Sequence, residues 1–248
     1  MKGGATRTVL FGVLTVIAAA VCVRLGIWQL DRLAQRRAQN AMVRMRGERP
    51  VVSVSALQGI DTTQTHWRRV RIRGVANYPA EVVHATRSQA GSPGVHLLTP
   101  VRPLDGAWGD TAVLVLRGFV YAPDGRSFNR EAAREADTLD LDALMLSFPA
   151  HVPGRVQMPT ATRAVRVLDR DTLSALMGAP LAPFVLLALG DTTMTDIVKA
   201  TRVPPPSLSE GAHQSYALQW FSFALVFLVG FAAFTWGPAR GRGPASDA

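Results

Sequence analysis

The chain has 248 residues, 48% of them apolar, and a formal charge of +9 carried almost wholly by arginine: Lys2 and Lys199 are the only lysines among 27 basic side chains. That balance calls for an anionic partner, but no zinc-type Cys/His spacing and no basic helix with interleaved aromatics accompanies it, which sets nucleic acid aside in favour of membrane lipid or an acidic membrane protein. A single cysteine, Cys22, excludes an internal disulfide and leaves the compartment open.

From the start of the chain, Val9 to Val23 carry no charge, and apolar character resumes in Leu25-Gly26-Ile27-Trp28. This predicts a first membrane-spanning helix over residues 8–29. Lys2, Arg7 and Ala18-Ala19-Ala20 would also suit a signal peptide. The apolar continuation beyond Arg24 and the interfacial Trp28 favour an uncleaved anchor. Arg24, Trp28 and Arg32 follow at four-residue spacing and share one helix face. An arginine at the depth of Arg24 either snorkels to headgroups or finds an anionic partner. Leu30, Leu33, Arg36 and Arg37 extend the helix as a basic amphipathic stretch, which Pro50 ends by position.

Residues 30–209 read as one extramembrane domain, mainly antiparallel β with minor helix. In residues 67–74, Val70 and Ile72 lie on one face of a strand, and Arg69, Arg71 and Arg73 on the other. That basic face suits solvent, anionic lipid or an acidic partner equally. Asn77-Tyr78-Pro79 is a turn, and residues 81–87 a second strand. Gly91-Ser92-Pro93-Gly94 is a breaker cluster before a strand at 95–101. Residues 112–116 form a continuous apolar run, expected of a buried strand. Residues 130–146 read as a charged then apolar helix. Short strands follow at 152–156 and 164–168, a helix at 172–177 capped by Asp171 and ended by Gly178, and a strand at 184–189. Pro204-Pro205-Pro206 is a stiff spacer. Tyr216 to Trp236 then run 21 positions without charge, about 31 Å of helix, predicting a second span over 214–236 and a short basic tail at 237–248.

Charge leaves orientation undecided. Arg32, Arg36, Arg37, Arg44 and Arg46 after the first span draw the middle domain to the cytoplasm, while Arg240 and Arg242 draw the carboxyl terminus there instead.

The motifs of metalloproteases, serine hydrolases and P-loop proteins are absent, so no nucleophile–base pair identifies an enzyme. His66, His84, His96 and His151 are scattered singly through the β region and read first as hydrogen-bonding or half-exposed side chains. His213 stands apart because it precedes the second span by one turn. At helical spacing it heads a stripe of Tyr216 or Ala217, Trp220, Phe223 or Ala224, and Phe227. An imidazole at the lip of a membrane helix, above aromatic rings, suits a flat amphiphile with a central metal such as haem. Interfacial anchoring by the aromatic residues explains the same pattern without a ligand. Haem propionates would suit Arg24 or Arg32.

Four segments in order resemble the Surfeit-locus-one family of cytochrome c oxidase assembly factors. They are Leu25-Gly26-Ile27-Trp28-Gln29-Leu30-x-Arg32, Gly91-x-Pro93-Gly94-x-His96-x-Leu98-Thr99-Pro100, Val113-Leu114-Val115-Leu116-Arg117-Gly118-Phe119-Val120, and His213-x-x-Tyr216-Ala217-x-x-Trp220-Phe221. Phe119 stands where the family usually has tryptophan, and Glu210-Gly211-Ala212 where it has an asparagine pair. The resemblance implies a non-enzymatic chaperone of the respiratory chain in the bacterial inner membrane. Both termini would be cytoplasmic and the central domain on the outer face. It further implies the oxidase catalytic subunit as partner, haem a synthase as a second one, and haem a held transiently by iron ligation at His213. Tyr216, Trp220 and Trp28 would then flank the ring, and Arg24 or Arg32 would meet its propionates. A scaffold that never touches haem is the alternative.

Overall fold

The computed structural model describes residues 2–149 and 163–236. Helix α1 (Lys2–Gly47), as far as residue 42, and helix α4 (His213–Trp236) belong to one compact unit, formed from residues 1–42 and 208–248; residues 43–207 form another.

In the first unit the two helices run antiparallel along a seam of small side chains. Thr15, Ala19, Cys22, Gly26 and Leu33 of α1 are buried and, with the half-buried Gln29, follow at alternating spacings of four and three, facing Ala217 and Ala224 of α4. That heptad spacing is the mark of left-handed helix pairing, and small residues let the backbones approach. Gly26 is needed for this approach: a Cβ there would lie 2.6 Å from the Phe221 ring. Outward positions are large and apolar, with Leu218 68% and Val226 66% exposed. Both helices are long and apolar enough to cross a membrane, and an apolar surface of this extent is what lipid covers. The chain is a membrane protein with two such helices flanking an α+β domain.

The second unit is built on a closed sheet. Strands β2 (Arg69–Ala76), β6 (Thr138–Ser147), β8 (Leu181–Ala188), β5 (Ala112–Tyr121) and β4 (Ser92–Pro103) bond in that order, and β4 returns to β2 through Gly74–Pro103 to Ala76–Val101. Strand β3 (Val82–Gln89) extends β4, and the two-residue strands β1 (Val52–Ser53) and β7 (Ala164–Val165) lie on β2 and β3. Pairing is mostly antiparallel; β5 with β8 is a parallel exception. Val70 and Ile72 point into the barrel with Val113, Val115, Met145, Phe184 and Leu186. Helix α3 (Arg170–Met177) lays Leu173 and Met177 on the outer face, against Leu114, Leu116, Val185 and Leu187. Strand β5 is therefore buried on both faces, which is why its sequence is an unbroken apolar run.

Three local expectations are corrected. Residues 130–146 are not a helix: a turn-rich segment leads into β6, whose Leu139, Leu141, Ala143 and Met145 alternate into the core. Leucine, alanine and methionine favour helix locally, and sheet pairing on both sides overrides that preference. In the 91–94 cluster only Gly91 is in the turn, with Ala90, both at positive φ; Ser92, Pro93 and Gly94 pair with Gln89, Ser88 and Arg87. The cap of α3 is Asp169, whose Oδ2 accepts from Thr172 N at 3.0 Å, rather than Asp171. The shared outer face of Arg69 and Arg71 is also less basic than its sequence, because β6 sets Asp140 and Asp142 beside it and Arg71 grips Asp140 with two bonds at 2.8 and 3.0 Å. The strand expected at 152–156, His151 and the basic tail lie outside the described residues.

Candidate functional site

His213 opens α4, and a strapped turn fixes its approach. Gly211 adopts φ +71°, a left-handed conformation that glycine takes without strain. Asn40 Nδ2 donates to Leu208 O at 2.7 Å, Arg36 Nε donates to Ser209 O at 3.2 Å, and Arg37 pairs with Glu210 at 2.9 Å. Asn40 is buried and is the firm anchor. The exposed Arg37–Glu210 pair is screened and adds little. These contacts hold residues 208–210 along α1 and deliver the imidazole to one place.

There the Nδ1–H of His213 donates to Oε1 of Gln29 at 2.8 Å. A carbonyl oxygen only accepts, so the proton sits on Nδ1 and the lone pair on Nε2. Among the described residues the ring's hydrogen bond is made through Nδ1 and not through Nε2. A histidine whose second nitrogen is fixed by a carbonyl is prepared to ligate a metal through the first. The ring lines a cleft of about 340 Å³ with Arg32, Gln35, Arg36, Gln39 and residues 209–211, a volume within the range of small-molecule sites. A more apolar groove of about 580 Å³, lined by Leu30, Ala217, Leu218 and Phe221, runs on the other side of the same turn.

The structure brings His213 and Arg32 into one cleft. Arg32 also lies over the Trp28 ring at 6.0 Å and donates to Gln35 Oε1 at 3.1 Å. Trp28 is nearly half exposed. Arg24 is an exposed side chain of α1 outside the cleft lining. The aromatic stripe divides: Trp220 packs on the seam with Ala19, Cys22 and Ala224, while Tyr216, Phe223 and Phe227 face outward. The sequence alone does not single out Gln29, although it sits within the 25–32 segment. Its signal was the seam spacing, which places it three residues after Gly26 and four before Leu33.

A second polar centre lies within the barrel unit. Arg117 of β5 is fully buried. It donates to Glu81 at 2.9 Å, to Glu135 at 2.9 Å, to the carbonyl of Ala133 and to Thr99 Oγ1, and stacks over Tyr78. Arg202 adds two bonds to Glu135 at 2.8 and 2.7 Å. Burial pulls the Arg117 pKa down, but the two carboxylates outweigh it and the guanidinium is held more firmly charged than usual. Burial likewise opposes ionisation of Glu135, and the two guanidinium groups more than offset it, lowering its pKa. Among the described residues each charged member has an oppositely charged partner, which makes this an architectural clamp. One charge within an apolar run at 113–120 was its sequence signal. His66 is structural too: its Nδ1 accepts from Ser147 N at 2.9 Å.

The model of the SURF1 family matches residues 16–225. A SURF1-like protein of Mycobacterium tuberculosis is 26% identical over 219 residues, covering 87% of this chain and 78% of its own. SURF1-like proteins of Rickettsia conorii and Rickettsia felis are 21% and 22% identical, covering 87% and 86% of this chain and 87% and 92% of theirs.

Proposed function

The chain belongs to the SURF1 family, a family of assembly factors linked to oxidase assembly, and from that premise we propose that it carries haem a to the catalytic subunit of cytochrome c oxidase. The observation that supports this most is the pairing of His213 with Gln29, which leaves the Nε2 lone pair unengaged among the described residues at the start of a membrane helix. Haem a is cargo here, and its iron would accept that nitrogen. Arg32, which shares the cleft with His213, would meet a propionate, and the groove of Leu30, Leu218 and Phe221 would take the apolar tail. Trp28 supplies an aromatic face beside Arg32. Arg24 and Tyr216 would act from outside the cleft lining, by contact with lipid or with the partner subunit, while Trp220 would hold the helix seam beneath the site. A donor such as haem a synthase would load the site within the bilayer. In this reading both termini are cytoplasmic and the barrel lies on the outer face of the bacterial inner membrane.

Protein purified from a haem a-producing host is expected to show a haem band in the visible spectrum that His213→Ala removes. A band unchanged by that substitution rejects the ligand assignment. Colourless wild-type protein that still co-purifies with the oxidase catalytic subunit would establish the scaffold role instead.

A further inference from the structure

Sheet register sets His84 of β3 directly opposite His96 of β4, and His96 opposite Phe119 of β5. The two imidazole centroids are 6.0 Å apart at a steep angle, and Phe119 closes the far side of His96 at 6.2 Å. His84 is 8% exposed. Its Nε2–H donates to the carbonyl of Arg166 at 3.2 Å, so its lone pair is on Nδ1. That Nδ1 is buried and has no hydrogen-bond partner among the described residues. Sheet proteins seldom leave a buried acceptor in this state without a reason.

Burial, reinforced by the Arg87 charge, pushes the pKa of His84 down to about 4; burial, reinforced by His84 and Arg87, does the same for His96. Both rings are therefore neutral near pH 7, the form that ligates metals. Two imidazoles that share an ion at about 2.0 Å from each nitrogen place their ring centres roughly 6 Å apart. No group of three or more His, Cys, Asp or Glu side chains among the described residues could hold a metal ion, and the Arg87 guanidinium nearby disfavours added positive charge. A divalent ion that needs four ligands is thus poorly served, whereas a monovalent ion that two neutral nitrogens can satisfy needs no further ligand and adds the least charge beside Arg87.

We propose that His84 and His96 form a cross-strand, two-ligand site for a monovalent transition-metal ion, Cu⁺. The site is separate from His213 and independent of the haem reading.

The test uses the full chain in detergent with Cys22→Ser, which removes the sole thiol. Cu⁺ is titrated anaerobically against a chromophoric chelator. One equivalent is expected to bind. His84→Ala and His96→Ala each weaken it at least tenfold with unchanged circular dichroism, and His213→Ala leaves it intact. X-ray absorption of the loaded protein is expected to show two imidazoles and no sulfur, a readout that holds even if an alanine variant does not fold. Failure to draw Cu⁺ from the chelator would overturn the proposal. So would affinity unchanged in both variants, loss confined to His213→Ala, a sulfur scatterer, or displacement of Cu⁺ by equimolar Zn²⁺.

Discussion

Replacing Arg117 with methionine keeps most of the side chain's length and removes its charge. The loss does not fall evenly on its neighbours. Glu135 retains two bonds from Arg202 at 2.8 and 2.7 Å. Glu81, only 3% exposed, keeps the Thr99 hydroxyl at 2.6 Å and a long contact to Arg130 at 3.7 Å. The cost is therefore that of one buried carboxylate stripped of its main counter-charge, about 3–5 kcal/mol. For a unit of this size each kcal/mol is about 2–4 °C, so the melting temperature is expected to fall by ~6–20 °C. Adding Glu81→Gln removes the stranded charge and recovers more than half of the loss, a coupling of ~2 kcal/mol or more. Thermal unfolding of the full chain in detergent, followed by circular dichroism across the four members of the cycle, measures both quantities. A fall below ~3 °C for Arg117→Met, or a double variant no better than the single, would refute the assignment of Glu81 as the group left unpaired.

Stability is expected to decline on mild acidification. His84 and His96 titrate near 4 in the folded chain against 6.5 unfolded, so the unfolded state takes up protons first. Stability is full above pH 6.5 and is lost as pH falls from there through 4, on the order of 2–3 kcal/mol for His84. Urea midpoints at pH 7.5 and 5 read this, and His84→Phe flattens the difference; a wild-type midpoint independent of pH contradicts it. Gly26→Leu drives a side chain into the Phe221 ring and parts the helices. Disulfide crosslinking of Cys22 to Ala224→Cys in membranes is expected to drop severalfold, and undiminished crosslinking would count against the seam. Gln29→Leu frees the His213 tautomer and is expected to lower haem retention ~10–100-fold, measured as dissociation to apomyoglobin, with Gln29→Asn partly restoring it; equal retention in all three removes Gln29 from the site.

What was legible in the sequence was whatever one segment decides alone. Uncharged runs mark both helices, and the alternation of Val70 and Ile72 with arginines predicts the pleat of β2. The segment 130–146 was misread because Leu, Ala and Met favour helix, and only the strands on either side of β6 reveal a period of two. Partnership was invisible for the same reason. Asp140 turns the basic face of Arg71 into an ion pair from another strand. Gln29 gains its meaning only when α4 lies beside α1. His213 stood out because its place at a helix start is a local property, whereas the orphaned nitrogen of His84 depends on three separate strands and a carbonyl from the segment after β7.

The partnership of Gln29 with His213 joins positions 184 residues apart. A ribosome must therefore pass from α1 through the barrel to α4 before the imidazole is fixed in one tautomer. A nascent chain, or one cut short anywhere upstream of α4, holds an amide with nothing to receive. The locked tautomer is thus a property of the paired helices and of neither one alone.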